Sequence, residues 1–200
     1  MFIGVCGPEG AGKSTVAGIL AKHGGAITPF AEPLKRMLLS LGVPNENLYG
    51  SQAQKDEPLA LLGGKSARWA MQSLGTQWGR MCMDSCFWVR QWAGLVDRRT
   101  AQRADAGLAQ PRMIVADDVR FQSEVDEISG RGGLIILVVR SPADLNREPQ
   151  HASEDFAKLR ADVMIINDGN FEHLEADVLE ALTYYGRVGT GARAQEAFGF

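Results

Sequence analysis

Apolar positions along the chain fall into two spacings. Short continuous runs at Met1–Cys6, Ala26–Thr28, Arg112–Ala116, Leu134–Arg140 and Val163–Ile166 read as strands. Leu134–Val139 is apolar throughout and predicts a central strand covered on both faces. Between them, apolar residues recur at helical spacing. The predicted helices cover residues 15–22, 30–39, 67–78, 84–103, 121–129, 153–159 and 171–185. Pro33 suits a first helical turn, and Ser66 and Ser153 suit N-caps. Gly75 and Gly79 weaken the 67–78 helix locally. Residues 43–65 are polar and broken by Pro44, Gly50, Pro58, Gly63 and Gly64, so they read as a loop-rich insertion. Residues 141–150 read as a mobile loop and 186–200 as a loose tail.

Strands separated by helices predict an α/β fold with a parallel, doubly wound sheet and right-handed crossovers. Ligands of such sheets bind beyond the C-terminal strand ends. Gly7 onward, Phe30, Asp117-Asp118, Arg140 and Asn167 all fall at such ends, which predicts a shared site.

The stretch Gly7-Pro8-Glu9-Gly10-Ala11-Gly12-Lys13-Ser14 fits G-x-x-x-x-G-K-[ST] and stands between a strand and a helix. Glycines let backbone N–H groups approach phosphate oxygens, and the helix turns its positive end to the same place. Gly7, Gly10, Ala11, Gly12, Lys13, Ser14 and Thr15 are the candidate ATP-binding set. Lys13 would reach the β- and γ-phosphates, and the Ser14 hydroxyl would help hold Mg²⁺. Asp117-Asp118, after an apolar strand, stands where a Walker-B carboxylate would hold the metal shell. The residues alone leave open which of the two faces it.

The 200 residues, 45% hydrophobic, suit one α/β domain, and a net charge of −3 argues against a general nucleic-acid binder. Cys6, Cys82 and Cys86 form no paired framework and read as reduced packing residues. A strand from residue 2 leaves no room for a leader, and no run approaches a membrane span. A cytosolic protein is expected.

A phosphomonoester acceptor is already dianionic at neutral pH, so transfer to it needs cationic clamps more than a base. The candidates are Arg36, Arg68, Arg80, Arg120, Arg140 and Arg147. Trp69, Trp78, Trp88 and Trp92 could stack on a base, although core packing is the default for aromatics at helical spacing.

Four segments carry a family likeness. They are Phe30-Ala31-Glu32-Pro33-Leu34-Lys35, Met71 to Arg80 with its Leu-Gly-Thr-x-Trp-Gly-Arg run, Asp118-Val119-Arg120-Phe121, and His151-Ala152-Ser153-Glu154. With the Asn167-Asp168-Gly169 turn, they make the chain resemble the phage-type deoxynucleoside monophosphate kinases of the P-loop kinase group over roughly residues 1–185. The resemblance implies one kinase domain over 1–185, with a helical monophosphate-binding insertion near 43–105 and a small lid near 141–152. It implies transfer of the ATP γ-phosphoryl group to a deoxynucleoside monophosphate with Mg²⁺. It also implies a homodimer and, for a phage-encoded enzyme, the host cytoplasm.

By the same resemblance, Asp118 is the metal carboxylate beside Ser14. Phe30, Lys35, Arg68, Gln72, Trp78 and Arg80 lie around the acceptor. Lys13, Arg120, Arg140 and Arg147 act on the transferred group, and Asn167 lies near the adenine. The family's Thr-Glu-Trp is Thr76-Gln77-Trp78 here, so a contact made by that acid is in question. Two other readings stand. One is a small kinase with a hydroxyl acceptor, resembling dephospho-coenzyme A kinase, for which Glu32 would be the base. The other is an ATP-binding module without transfer chemistry.

Overall fold

The computed structural model describes residues 1–146 and 156–188. In chain order its elements are β1 (Phe2–Cys6), α1 (Lys13–Lys22), β2 (Gly25–Ile27), α2 (Glu32–Ser40), α3 (Asn45–Tyr49), α4 (Gln52–Asp56), β3 (Pro58–Leu59), β4 (Lys65–Ser66), α5 (Ala67–Gln72), a π-helix (Ser73–Met83), α6 (Phe87–Asp105), β5 (Met113–Val119), α7 (Gln122–Gly130), β6 (Leu134–Val139), β7 (Val163–Ile166) and α8 (Phe171–Val188). They form two compact units. The first is Met1–Pro29 with the described residues from Arg103 onward, and the second is Phe30–Gln102.

The first unit is built on a five-stranded parallel sheet of order β2-β5-β1-β6-β7, flanked by helices, as in a P-loop kinase. On one face, α1 brings Val16, Ile19 and Leu20 and α8 brings Leu174 and Val178. They pack with Ile3, Val5, Val115, Ile136, Val138 and Ile165 of the sheet. On the other face, α7 lays Ile128 over Gly4, where a β-carbon would stand 2.7 Å from its terminal methyl. Cover on both faces is why every residue of β6 is apolar and buried. Each such side chain contributes about 1.5–3 kcal/mol relative to exposure.

Strand β5 departs from expectation. It does not end at Ala116 but runs to Val119. Its register against β1 goes from Gly4 opposite Ala116 to Cys6 opposite Val119, so three steps on β5 oppose two on β1. Asp117 and Asp118 lie in this bulge, within the strand. Bulges re-aim side chains at sheet rims and beside active sites, which suits a pair of carboxylates in an otherwise apolar strand.

The second unit packs Leu34, Leu38, Val43, Leu48, Ala67, Ala70 and Trp88 into its own core. The expected loop-rich stretch 43–65 instead holds α3, α4, a 3₁₀ turn and the β3–β4 hairpin. Val43 and Leu48 anchor it, both fully buried. A capping box starts α4: the Ser51 hydroxyl accepts from the Gln54 N–H, and the Gln54 amide oxygen accepts from the Ser51 N–H. The S-x-x-Q spacing was a readable signal for it. Ser66 caps α5 as expected, accepting from the Trp69 N–H at 3.2 Å.

The helix predicted over 67–78 changes type at Ser73 and continues as a π-helix to Met83. Its last turn closes with the Asp84 N–H on the Gly79 carbonyl, five residues back. The Trp88 indole N–H donates to the Gly75 carbonyl at 2.9 Å. A β-carbon on Gly79 would stand 2.1 Å from that indole nitrogen. The two glycines that looked like weak points of an α-helix are where Trp88 enters the wider one.

No described helix is long and apolar enough to cross a membrane. Cys6 is buried in β1 as expected, but Cys82 is exposed and does not pack. Arg147, His151, Ser153, Glu154 and the tail from residue 189 lie outside the described residues, as does the second half of the expected lid.

Candidate active site

The loop from Gly7 to Gly12 joins β1 to α1. Gly7 has φ +136°, and a β-carbon there would sit 2.0 Å from the Val138 carbonyl oxygen. Gly12 has φ +105°, and its β-carbon would meet the Asn167 side-chain nitrogen at 2.2 Å. Both positions therefore need glycine for conformation and for space. The Gly12 carbonyl accepts the first bonds of α1, from Thr15 and Val16. Ser14 and Thr15 are exposed at the head of that helix.

Lys13 curls back over the loop. Its ammonium donates to the Gly7 carbonyl at 2.8 Å and the Pro8 carbonyl at 2.7 Å, and lies 5.8 Å from the centre of the Phe156 ring. Burial and the nearby Arg120 charge push its pKa down to about 8, against the pull of Cys6, Glu9 and Asp117.

Arg140 and Asn167 meet at the same loop. The Asn167 amide donates to the buried Ala11 carbonyl at 2.8 Å. The Arg140 guanidinium donates to the Asn167 carbonyl at 3.0 Å and to the Gly10 carbonyl at 3.3 Å. Both were expected at the nucleotide, on the phosphoryl group and the adenine respectively, and here both brace the loop. Glu124, which sequence reasoning missed, fixes the approach of Arg120. It is buried, and its carboxylate accepts from the Arg120 N–H at 2.7 Å and the Phe121 N–H at 3.1 Å. It stands at the third position of α7, as the acid of a capping box does, but Phe121 at the N-cap has no side-chain acceptor, so the S/T-x-x-E signal was absent.

The Asp117 carboxylate is one of the charges that favour the protonated Lys13 ammonium. Oxygen donors from Ser14 and one carboxylate of the Asp117-Asp118 pair suit Mg²⁺, which takes few protein ligands and completes its shell with water and substrate phosphates. No group of three or more His, Cys, Asp or Glu among the described residues could hold a metal by itself. A magnesium site of the P-loop kind needs no such group.

In the second unit the candidates divide. Phe30 is buried and stacks on Trp92, ring centres 4.4 Å apart, so its ring serves the core. Trp88 and Trp92 are also core. Trp78 stands edge-on to Phe87 at 5.3 Å and is 37% exposed, which leaves surface for a base. Gln72 is exposed at the last position of α5. Arg68 is bonded to Asp56 and Gln52, and Arg80 to the Ser85 carbonyl. The Lys35 ammonium sits 4.4 Å from the centre of the Tyr49 ring.

Residues 63–178 match the family model of deoxynucleotide monophosphate kinases. The chain belongs to that family. It is also similar to a protein of Acanthamoeba polyphaga mimivirus provisionally named deoxynucleotide monophosphate kinase, with 29% identity over 189 residues covering 91% of this chain and 96% of the relative. This kinase is therefore a nucleotide-phosphorylating enzyme on a P-loop sheet. The matched span takes in the π-helix, the bulge with its two aspartates, and Asn167.

Proposed function

We propose that the protein transfers the γ-phosphoryl group of ATP, with Mg²⁺, to a deoxynucleoside 5′-monophosphate, giving the deoxynucleoside diphosphate and ADP. The observation that carries this reading is the glycine loop itself, with the Lys13 ammonium laid on its Gly7 and Pro8 carbonyls and its pKa pushed down to about 8, by burial first and by the Arg120 charge second. Triphosphate oxygens would favour its charged form. Lys13 then leaves the Gly7 and Pro8 carbonyls for the β- and γ-phosphates, and the loop N–H groups take the rest of the chain.

Ser14 and one of Asp117 and Asp118 would hold Mg²⁺, which when bound neutralises charge on the β- and γ-oxygens. An oxygen of the acceptor's dianionic phosphate attacks the γ-phosphorus. The new P–O bond forms as the bond to the β-phosphate bridge breaks, and ADP keeps the electron pair. No proton has to leave the acceptor. Arg120 and Arg140 offset the charge spread over the transferring group, Arg147 is assigned the same task, and Asn167 is assigned to the adenine end of ATP. Phe30, Lys35, Arg68, Gln72, Trp78 and Arg80 are assigned to the acceptor. The reading carries with it a cytoplasmic location and a homodimer, the latter to be checked by light scattering.

A coupled assay of ADP release with dGMP, dTMP, dCMP and dAMP tests the proposal. ADP release that depends on at least one of them is expected. Binding of ATP without such release for any of the four would sink the reading and favour an ATP-binding module.

A further inference from the structure

Glu32 is the residue on which a hydroxyl-acceptor reading would rest. Its surroundings in the second unit argue for a different task. It opens α2, where an acid meets the positive end of the helix. Its side chain is only 14% exposed. Arg36 donates to its Oε1 through Nε at 2.9 Å, and Arg99 donates to the same oxygen through Nη2 at 3.2 Å. The Tyr49 hydroxyl donates to Oε2 at 3.1 Å. Three of the roughly four lone-pair directions of the carboxylate are thereby taken.

Burial would raise the Glu32 carboxyl, but the bonds from Arg36 and Tyr49 and the charges of Arg36 and Arg99 hold it below the usual value. A general base works best with a pKa near the operating pH and a free oxygen at the proton it takes. Glu32 is short of both. It is instead a junction from which cations are set in place. Two guanidiniums share one carboxylate oxygen. Arg36 bonds through Nε alone, which leaves the two terminal nitrogens of its fork for a ligand. Tyr49, fixed at its hydroxyl by Glu32, carries the Lys35 ammonium on its ring. Lys35 and Arg36 are neighbours on α2, while Tyr49 and Arg99 come from α3 and α6. One half-buried carboxylate thus gathers three cations from two helices.

We propose that Glu32 is a positioning residue for the acceptor: it holds the Arg36 and Arg99 guanidiniums and, through the Tyr49 ring, the Lys35 ammonium where they take a phosphomonoester dianion. This rests on the proposed function and makes Tyr49 and Arg99 part of acceptor binding. Charged bidentate bonds of this kind are the strong ones, and their geometry depends on what holds the fork. Glu32 itself neither touches the reacting atoms nor moves a proton.

The test is steady-state kinetics of the wild type, Glu32→Gln and Tyr49→Phe, with calorimetric titration of the preferred deoxynucleoside monophosphate in the absence of ATP. For Glu32→Gln, KM and Kd for the monophosphate should rise about 10- to 100-fold, in line with lost charge-assisted bonds. Its kcat should stay within about threefold, as should KM for ATP, since no transition-state contact is removed. Tyr49→Phe keeps the ring and should raise the same two constants about threefold. Loss of kcat by about a thousandfold at unchanged KM, with the acidic limb of the pH profile gone, would make Glu32 a base and overturn the proposal. Unchanged monophosphate constants in a folded Glu32→Gln protein would overturn it as well. If Glu32→Gln does not fold, Tyr49→Phe decides alone, and constants equal to wild type reject the proposal. A wild type without acceptor-dependent ADP release fails the proposed function instead, and that control is read first.

Discussion

The two units differ in where their chemistry resides. In the sheet unit it lies in the main chain. Gly7 and Gly12 adopt positive φ, and side chains such as Asn167 and Arg140 hold loop carbonyls. In the helical unit the proposed chemistry lies in side chains brought together from distant positions, as Glu32 and Arg99 are across 67 residues. A main-chain site is encoded by consecutive residues, because one short segment must make every turn. A side-chain site is encoded by packing, which local spacing does not report.

The comparison is tested most severely at Lys13. Lys13→Ala removes the one ammonium of the loop and leaves its glycines intact. Turnover should fall at least about a thousandfold, on the scale of losing a dedicated charge at a transferring phosphoryl group. Circular dichroism and the melting temperature should stay near wild type. Retained turnover in a folded variant would move the donor site away from this loop.

That difference also explains what was legible beforehand. The strands of the main sheet, their parallel direction and the loop followed from apolar runs and one motif, because both faces of the sheet are covered and β6 leaves no other reading. The end of β5 was misjudged, since the bulge that takes in Asp117 and Asp118 depends on register against β1. Stretch 43–65 was misread because its order rests on a few anchors, Val43 and Leu48, and on one capping box. The π-helix was invisible to a 3.6-residue period. Gly75 and Gly79 were correctly singled out but read as weakness, because the indole that fills the space comes from Trp88 in the next helix. Of the acceptor candidates, Lys35 and Gln72 came only from the family likeness, and Tyr49 and Arg99 escaped because neither stands in a motif.

A middle-sized effect probes the helical unit by itself. Gly79→Ala puts a methyl group on the Trp88 indole, which is already bonded to the Gly75 carbonyl. Overpacking of this kind costs about 1–3 kcal/mol, more than alanine regains in helix propensity. Chemical denaturation should show a loss of that order, and KM for the monophosphate should rise while KM for ATP stays within about twofold. Equal losses for both substrates would mean that the two units do not divide the work as proposed.

The smallest effect separates the units by pH. Lys13 has a folded pKa near 8 against an unfolded value near 10.5. Below pH 8 it is charged in both states, and the burden of burying it is fully present. Between pH 8 and 10.5 the unfolded chain keeps the proton and the folded chain gives it up. The unfolded state then binds more protons, so this group makes the ligand-free protein more stable as pH rises through that window. ATP acts in the opposite sense, because its phosphates favour the charged ammonium. Above pH 8, binding must take up a proton, and Kd for ATP should rise by up to about tenfold per pH unit. Arg36 and Arg99 stay charged throughout this range, as arginines do in proteins. The monophosphate is fully dianionic there. Its Kd should therefore change by less than about threefold between pH 7.5 and 9, while that of ATP climbs. Calorimetric titrations of each nucleotide across that range measure both slopes. Parallel slopes would show that one titrating group serves both nucleotides, against a division in which a lysine in a glycine loop takes the donor and guanidiniums set by Glu32 take the acceptor.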